Sequence, residues 1–195
     1  MISGIRSCAQ ILLLIFACAA AQAGSEETQR VAAFLATLSP PGEGAIPFVE
    51  KRMSALLAEP IEVRGELRIS KDGAIDKRVS FPAEERVQIT AQTLTLERRG
   101  KSKTLNLAGD ARWRAFHAGI VGLMNRDAAA LSRVFEVRLH EHAGDWTLEL
   151  RPLGSGRKGG VTLISATGTG ATLMRLRLDE GDGEWQEMNF LPAGP

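Results

Sequence analysis

Ile61-Glu62-Val63-Arg64-Gly65-Glu66-Leu67-Arg68-Ile69 alternates apolar and charged residues, with Gly65 in the apolar set. Successive side chains of a strand point to opposite sides of a sheet, so this stretch reads as a strand with one dry face and one wet face. The period of two returns in Ile75 to Phe81, Val87 to Ala91, Leu94 to Leu96 and Leu105 to Leu107. It continues in Phe135-Val137-Leu139, Trp146-Leu148-Leu150, Val161-Leu163 and Met174-Leu176-Leu178, and in a last strand ending near Phe190. A strand from Ile46 to Leu57 brings the expected number to about eleven. Asp72-Gly73, Arg99-Gly100, Gly168-Thr169-Gly170 and Gly181-Asp182-Gly183 supply turns between them, which predicts a run of antiparallel hairpins. That density of strands makes the fold class mainly β with α, as a large curved sheet or a barrel.

Two regions break the pattern. Ser25 followed by Glu26 and Glu27 forms a helix start, with acids beside the positive end of the helix. Val31, Phe34, Leu35 and Leu38 then recur at helical spacing until Pro40-Pro41 ends the run. A central helix is predicted between Asp110 and Asn125, with Trp113, Phe116, Ile120 and Leu123 on one stripe. Ala115, Ala118, Gly119 and Gly122 form a thin side suited to close approach, and Asn125 and Asp127 open a shorter helix to about Arg133. Each glycine weakens the central helix by ~1 kcal/mol relative to alanine, which suits an element that moves.

Residues 1–23 read as a secretory signal peptide: Arg6 is the positive start, Ile11 to Phe16 an apolar run, and Ala21-Gln22-Ala23 a small-residue cleavage site. Residues 24–195 are then one soluble, exported domain, expected in the periplasm. A competing reading takes Ile15-Phe16-Ala17-Cys18 as a lipobox that would anchor the protein through Cys18, although Phe16 is bulky for that motif. Both cysteines, Cys8 and Cys18, fall in the leader, so the domain must fold without disulfides. Arg6 is the leader's only charge, and its removal makes the 24 basic and 23 acidic residues equal in number. Phosphate backbones are bound through a basic excess or stripe, so nucleic acid is not an expected partner.

Catalytic chemistry is sparse. The three histidines are His117, His140 and His142, and the latter two share a strand face with no third metal ligand in view. Gly154-Ser155-Gly156-Arg157-Lys158-Gly159-Gly160 lacks the Gly-Lys-Ser/Thr ending of a phosphate loop and precedes a strand, so it reads as a hairpin loop. No serine occupies a Gly-x-Ser-x-Gly elbow. Neither an enzyme nor a cofactor or metal site is expected.

The order of features resembles the family of the periplasmic outer-membrane lipoprotein carrier LolA. An exported leader and an amphipathic helix are followed by a first strand with Phe48-x-Glu50-x-Arg52 and a second with Gly65-x-Leu67. Next come a strand ending Phe81-Pro82, a hairpin through Leu94 and Leu96, the central helices, and Trp146-Thr147-Leu148-Glu149-Leu150-Arg151-Pro152. The similarity runs from about Glu26 to Leu191 and is greatest to the divergent branch found with polyene and fatty-acid-type biosynthetic genes. It implies an unclosed, LolA/LolB-like β-barrel whose concave apolar face is covered by helices. The implied activity is to take acyl chains of a lipoprotein or other lipid from an inner-membrane transporter and deliver them to an outer-membrane receptor, as a monomer. A non-enzymatic lipid-sensing or protein-interaction module is the alternative.

On that basis the apolar faces supply the candidate ligand contacts. The first helix offers Phe34 and Leu38, and the first two strands Phe48, Leu67 and Ile69. The following hairpins offer Ile75, Val79, Phe81, Val87, Ile89, Leu94 and Leu96, and the central helix Trp113, Phe116, Ile120 and Leu123. Phe135, Val137, Trp146, Leu148, Met174 and Leu176 complete the set from the later strands. Carriers of the family hold their lid through an Arg-Pro at the start of the third strand. Here that region reads Lys71-Asp72, so Lys71 and Arg52 become the candidate lid contacts.

Overall fold

The computed structural model describes residues 26–39, 44–70, 72–107, 109, 111–154 and 160–192, with the backbone alone at 111, 112 and 115. The leader, Cys18, Ser25, Pro40-Pro41 and Lys71 lie outside these residues.

Eleven strands form one antiparallel sheet: β1 (Ile46–Met53), β2 (Ile61–Ile69), β3 (Ile75–Phe81), β4 (Glu85–Ile89), β5 (Thr93–Arg98), β6 (Lys101–Asn106), β7 (Phe135–His142), β8 (Asp145–Pro152), β9 (Val161–Thr169), β10 (Thr172–Glu180) and β11 (Trp185–Phe190). Their order is β6-β5-β4-β3-β2-β1-β11-β10-β9-β8-β7, so β1 and β11 close the two meanders against each other at the centre. The edges β6 and β7 are not paired, and the sheet stays open as the family resemblance implied. The chain passes from one edge to the other through α2 (Ala111–Met124) and α3 (Ala128–Val134), which places both helices on the concave side. Helix α1 occupies residues 26–37.

The helices follow their apolar stripes. Val31, Phe34, Leu35 and Leu38 are all buried, and α1 is fixed by the Phe34 and Trp146 rings meeting edge to face with centroids 5.1 Å apart. Asp127 caps α3 by accepting from the Ala130 amide at 2.9 Å, as its position in the sequence predicted. The thin side of α2 is real. A Cβ on Gly119 would lie 2.8 Å from Phe135 Cζ and 2.9 Å from Ile164 Cδ1, and one on Gly122 would lie 2.7 Å from Leu131.

The structure departs from the sequence expectation in several places, among them β4, which runs from Glu85 to Ile89 and not from Val87 to Ala91, and β6, which runs from Lys101 to Asn106 and not from Leu105 to Leu107. β1 ends at Met53, not Leu57, because the chain turns there, with the Leu57 amide donating to the Ser54 carbonyl at 3.0 Å, leaving Leu56 96% exposed. Gly168 is a strand residue beneath Trp146, whose ring a Cβ would meet at 2.5 Å; the turn comes later, at Gly170 with φ 55. His117 is not plain helix surface, since its Nε2 lies 3.1 Å from the Gly73 carbonyl oxygen and ties α2 to the β2–β3 turn.

The two edges are protected differently. Glu27 Oε1 accepts from the Leu139 amide of β7 at 3.4 Å, so α1 screens that edge. All six residues of β6 are exposed, and Lys101 and Lys103 place charge along the other edge.

Candidate functional site

The concave face is filled in one half of the sheet and hollow in the other. A cavity of about 500 Å³ lies between α2 and the strands from β1 to β5, reaching across to β9, β10 and β11. It exists because α2 stands on its glycine edge against β7 and β9, while Trp113, Phe116 and Ile120 face the opposite half without filling it. Trp113 and Phe116 have their rings 5.1 Å apart, and the Trp113 indole N–H donates to the Thr90 carbonyl at 3.4 Å. Leu67, Ile75, Val87, Ile89 and Leu94 line the sheet side, and Leu176 closes it from β10.

A second cavity of about 440 Å³ opens at the other end of the sheet, between the end of α2 and the start of β1. Leu38, Ile69, Leu123 and Met174 line it, and Leu67 belongs to both cavities.

The remaining candidate contacts line neither of these cavities. Phe48, Phe135 and Leu148 are in the packed core, with Val79 also buried and Val137 partly buried against it. Leu96 is half-buried on β5. Phe34 and Trp146 border a separate recess near the β7–β8 turn. Phe81 is 51% exposed and lies under Arg64, whose guanidinium carbon is 5.5 Å from the ring centroid. The cause is a bulge: the register steps from Gly65–Val79 to Arg64–Phe81, which breaks the alternation that would keep Phe81 beside Val79.

One end of the large cavity is polar. Glu50 is 1% exposed, the only buried charged side chain among the described residues. Its Oε1 accepts from Arg52 Nε at 2.6 Å, and its Oε2 accepts from Lys77 Nζ. Lys77 belongs to β3, and it reaches β1 past Gly65 on the strand between, which carries no side chain. Gly65 is required here for a second reason, since a Cβ would fall 1.9 Å from the Arg78 carbonyl oxygen. The Lys77 ammonium also sits 5.1 Å from the Phe48 ring centroid. Burial pushes its pKa below the ordinary lysine range; the Glu50 charge opposes that fall and the Arg52 charge adds to it. Arg52 Nη1 lies 3.7 Å from Glu85 Oε1, and the Gln186 side-chain amide donates to Glu180 at 3.3 Å. Arg52 therefore lies at the cavity wall, while Lys71, the other candidate lid contact, is outside the described residues.

Sequence reasoning named Arg52 and overlooked Glu50, Lys77, Glu85, Glu180 and Gln186 as parts of the site. The signal was strand parity. Glu50 and Arg52 share the inward face with Phe48, and Lys77 shares it with Ile75 and Val79. Among the described residues no group of three or more metal-binding side chains converges, and no helix is long and apolar enough to cross a membrane.

An open antiparallel sheet wrapped on a helix-covered apolar cavity defines the class of protein. The family described as "Outer membrane lipoprotein carrier protein LolA-like" matches residues 22–193, and the chain belongs to it. No curated protein matches the sequence. Among solved structures, a LolA superfamily protein of Nitrosomonas europaea is 10% identical with a TM-score of 0.42, covering 87% of this chain and 95% of its own. Lipoprotein LppX of Mycobacterium tuberculosis is 11% identical with a TM-score of 0.37, covering 86% and 95%. MucB of Pseudomonas aeruginosa, solved with MucA, is 14% identical with a TM-score of 0.39, covering 88% of this chain and 58% of its own.

Proposed function

We propose that this protein is an exported carrier that takes acyl chains of a lipoprotein or other lipid into the large cavity and moves them from the inner to the outer membrane. The observation that carries this reading is the hollow of about 500 Å³ between α2 and the concave face, which apolar side chains line on the sheet side and the helix side alike. Family membership supports it. The contacts assigned to the chain are Leu67, Ile75, Val87, Ile89, Leu94, Trp113, Phe116, Ile120 and Leu176, with Leu38, Ile69, Leu123 and Met174 at the second cavity.

The energetics favour handover over free release. Each buried methylene contributes ~0.8 kcal/mol, so roughly a dozen give on the order of 10 kcal/mol before association costs are subtracted. A donor and a receptor that compete for the chain or loosen α2 would then be needed. These are the expected roles of an inner-membrane transporter and an outer-membrane receptor. Native mass spectrometry of protein purified from the periplasm tests the reading: a co-purified lipid supports a carrier. An empty protein, together with a flat tryptophan-emission titration against a long-chain amphiphile, overturns it.

A further inference from the structure

We infer that the polar end of the large cavity is a head-group site, selective for an amphiphile whose head is uncharged and rich in hydroxyl or amide groups. This rests on the acyl-chain reading above and adds the identity of the head. The cavity is amphipathic along its length. Trp113, Phe116 and Ile120 mark its apolar end under α2, and Glu50, Arg52, Lys77, Glu85, Glu180 and Gln186 gather at the other. That polar end lies where β1, β10 and the antiparallel β4 and β11 meet one rim of the sheet, so a chain that runs toward α2 leaves its head among these groups.

The pairing inside the cluster decides the charge of the head. Glu50 has both oxygens engaged, one by Arg52 and one by Lys77, so each cation already has a buried partner. Three carboxylates and two cations line this end, and Arg98, the cross-strand partner of Glu85, stands just beyond the lining. A carboxylate or phosphate head would have to enter beside Glu50, Glu85 and Glu180 and compete with Glu50 for its cations, while its own water is stripped away. A cationic head would meet Arg52 and Lys77. What is left for a ligand is a mixture of spare N–H donors on Arg52 and acceptor oxygens on Glu85 and Glu180. Hydroxyls and amides, which donate and accept without carrying charge, satisfy both.

The test titrates the full exported domain with 1-monooleoylglycerol and with oleate, which share one chain, following tryptophan emission and heat of binding near neutral pH. The expected result is that monooleoylglycerol binds about tenfold more tightly than oleate. Glu50→Gln frees two cations from their carboxylate and should raise oleate affinity until the preference is lost or reversed. Since Glu50 is buried and that variant can fail to fold, Glu85→Gln at the wall provides the second arm, expected to narrow the gap between the two amphiphiles because it removes one of the three carboxylates that an anionic head must approach. Oleate binding as tightly as monooleoylglycerol to the wild type, or an unchanged preference in Glu85→Gln, overturns the head-group site and leaves the carrier reading standing. Failure of both amphiphiles to bind overturns the two together.

Discussion

The two halves of the sheet are built from the same alternation and end in different physical states. Under β7, β8 and β9 the inward residues Leu148, Leu150, Ile164 and Ala166 are fully buried, sealed by Leu131 of α3 and by α1. Along β4 and β5 the inward residues are mostly half-buried, and their faces border a hollow. Strand pattern alone does not separate core from cavity; the helix above decides. Both short helices and the glycine edge of α2 lie over the first half, whereas the second is spanned only by the aromatic side of α2.

The sharpest way to break this contrast is to delete the same atoms from each half. Leu148→Ala should destabilise the protein by about 2–5 kcal/mol, as truncation of a fully packed leucine does. Leu94→Ala, at the cavity wall, should lower stability by less than about 1 kcal/mol, because it enlarges a space that already exists. Urea denaturation of both variants checks the pair, and similar losses at the two positions would erase the distinction.

Gly119→Ala asks whether α2 is integral or mobile. The sequence offers two reasons for Gly119 and Gly122, a thin side for close approach and a weak helix that moves, and the contacts of Gly119 and Gly122 favour the first. On a mobile helix the alanine should stabilise by ~1 kcal/mol through propensity. Against Phe135 and Ile164 at 2.8 and 2.9 Å it should instead destabilise by about 1–3 kcal/mol. We expect the destabilisation, so that movement of α2, where it occurs, is a rotation about its fixed glycine edge. The sign of the change in Tm decides.

Phe116→Asp then sharpens the contrast on the aromatic side. Phe116 is half-buried and faces the hollow, where a carboxylate keeps access to water, so the Tm should change little. Acyl-chain affinity should fall about tenfold or more, since a charge then faces the bound chain. A large fall in Tm without ligand would instead show that the cavity collapses around this ring.

Much of this was legible in the sequence because period-two alternation and turn glycines are local properties. β2 and β3 begin and end at the residues the alternation marked, and Arg99 and Gly100 take the positive φ of 51 and 71 expected of their turn. What escaped were properties that depend on a neighbouring strand. Phe81 leaves the cavity face through a bulge that its own segment does not encode. Lys77 enters the cavity because Gly65, on another strand, leaves it a path to Glu50. The sequence also treated charged positions as the wet face throughout, which holds for the convex side. There the partners sit two apart on one strand, as in Glu62–Arg64, Glu136–Arg138 and Glu149–Arg151, and the charges balance locally.

The smallest effect expected is on that convex side and tests it against the buried cluster. Arg86 on β4 grips Asp76 on β3 with two hydrogen bonds, Nε to Oδ1 at 2.8 Å and Nη2 to Oδ2 at 3.0 Å. This hydrogen bonding holds the Asp76 carboxyl below the usual carboxylate range, with burial opposing it and the charges of Arg86 and Arg78 assisting. A lowered folded-state value means that the stabilisation is present above the unfolded value and is lost as the pH falls through the folded one. Asp76→Asn should therefore weaken the protein slightly at pH 7, with the wild-type and variant stability curves converging in acid as the pH falls through the lowered Asp76 value. Salt should narrow the neutral-pH difference as well, because the pair is partly exposed and screened. The Glu50–Lys77 pair, shielded from water, should be far less sensitive to salt, and an equal salt response of Asp76→Asn and Lys77→Met would show that the two faces of the sheet are not electrostatically distinct.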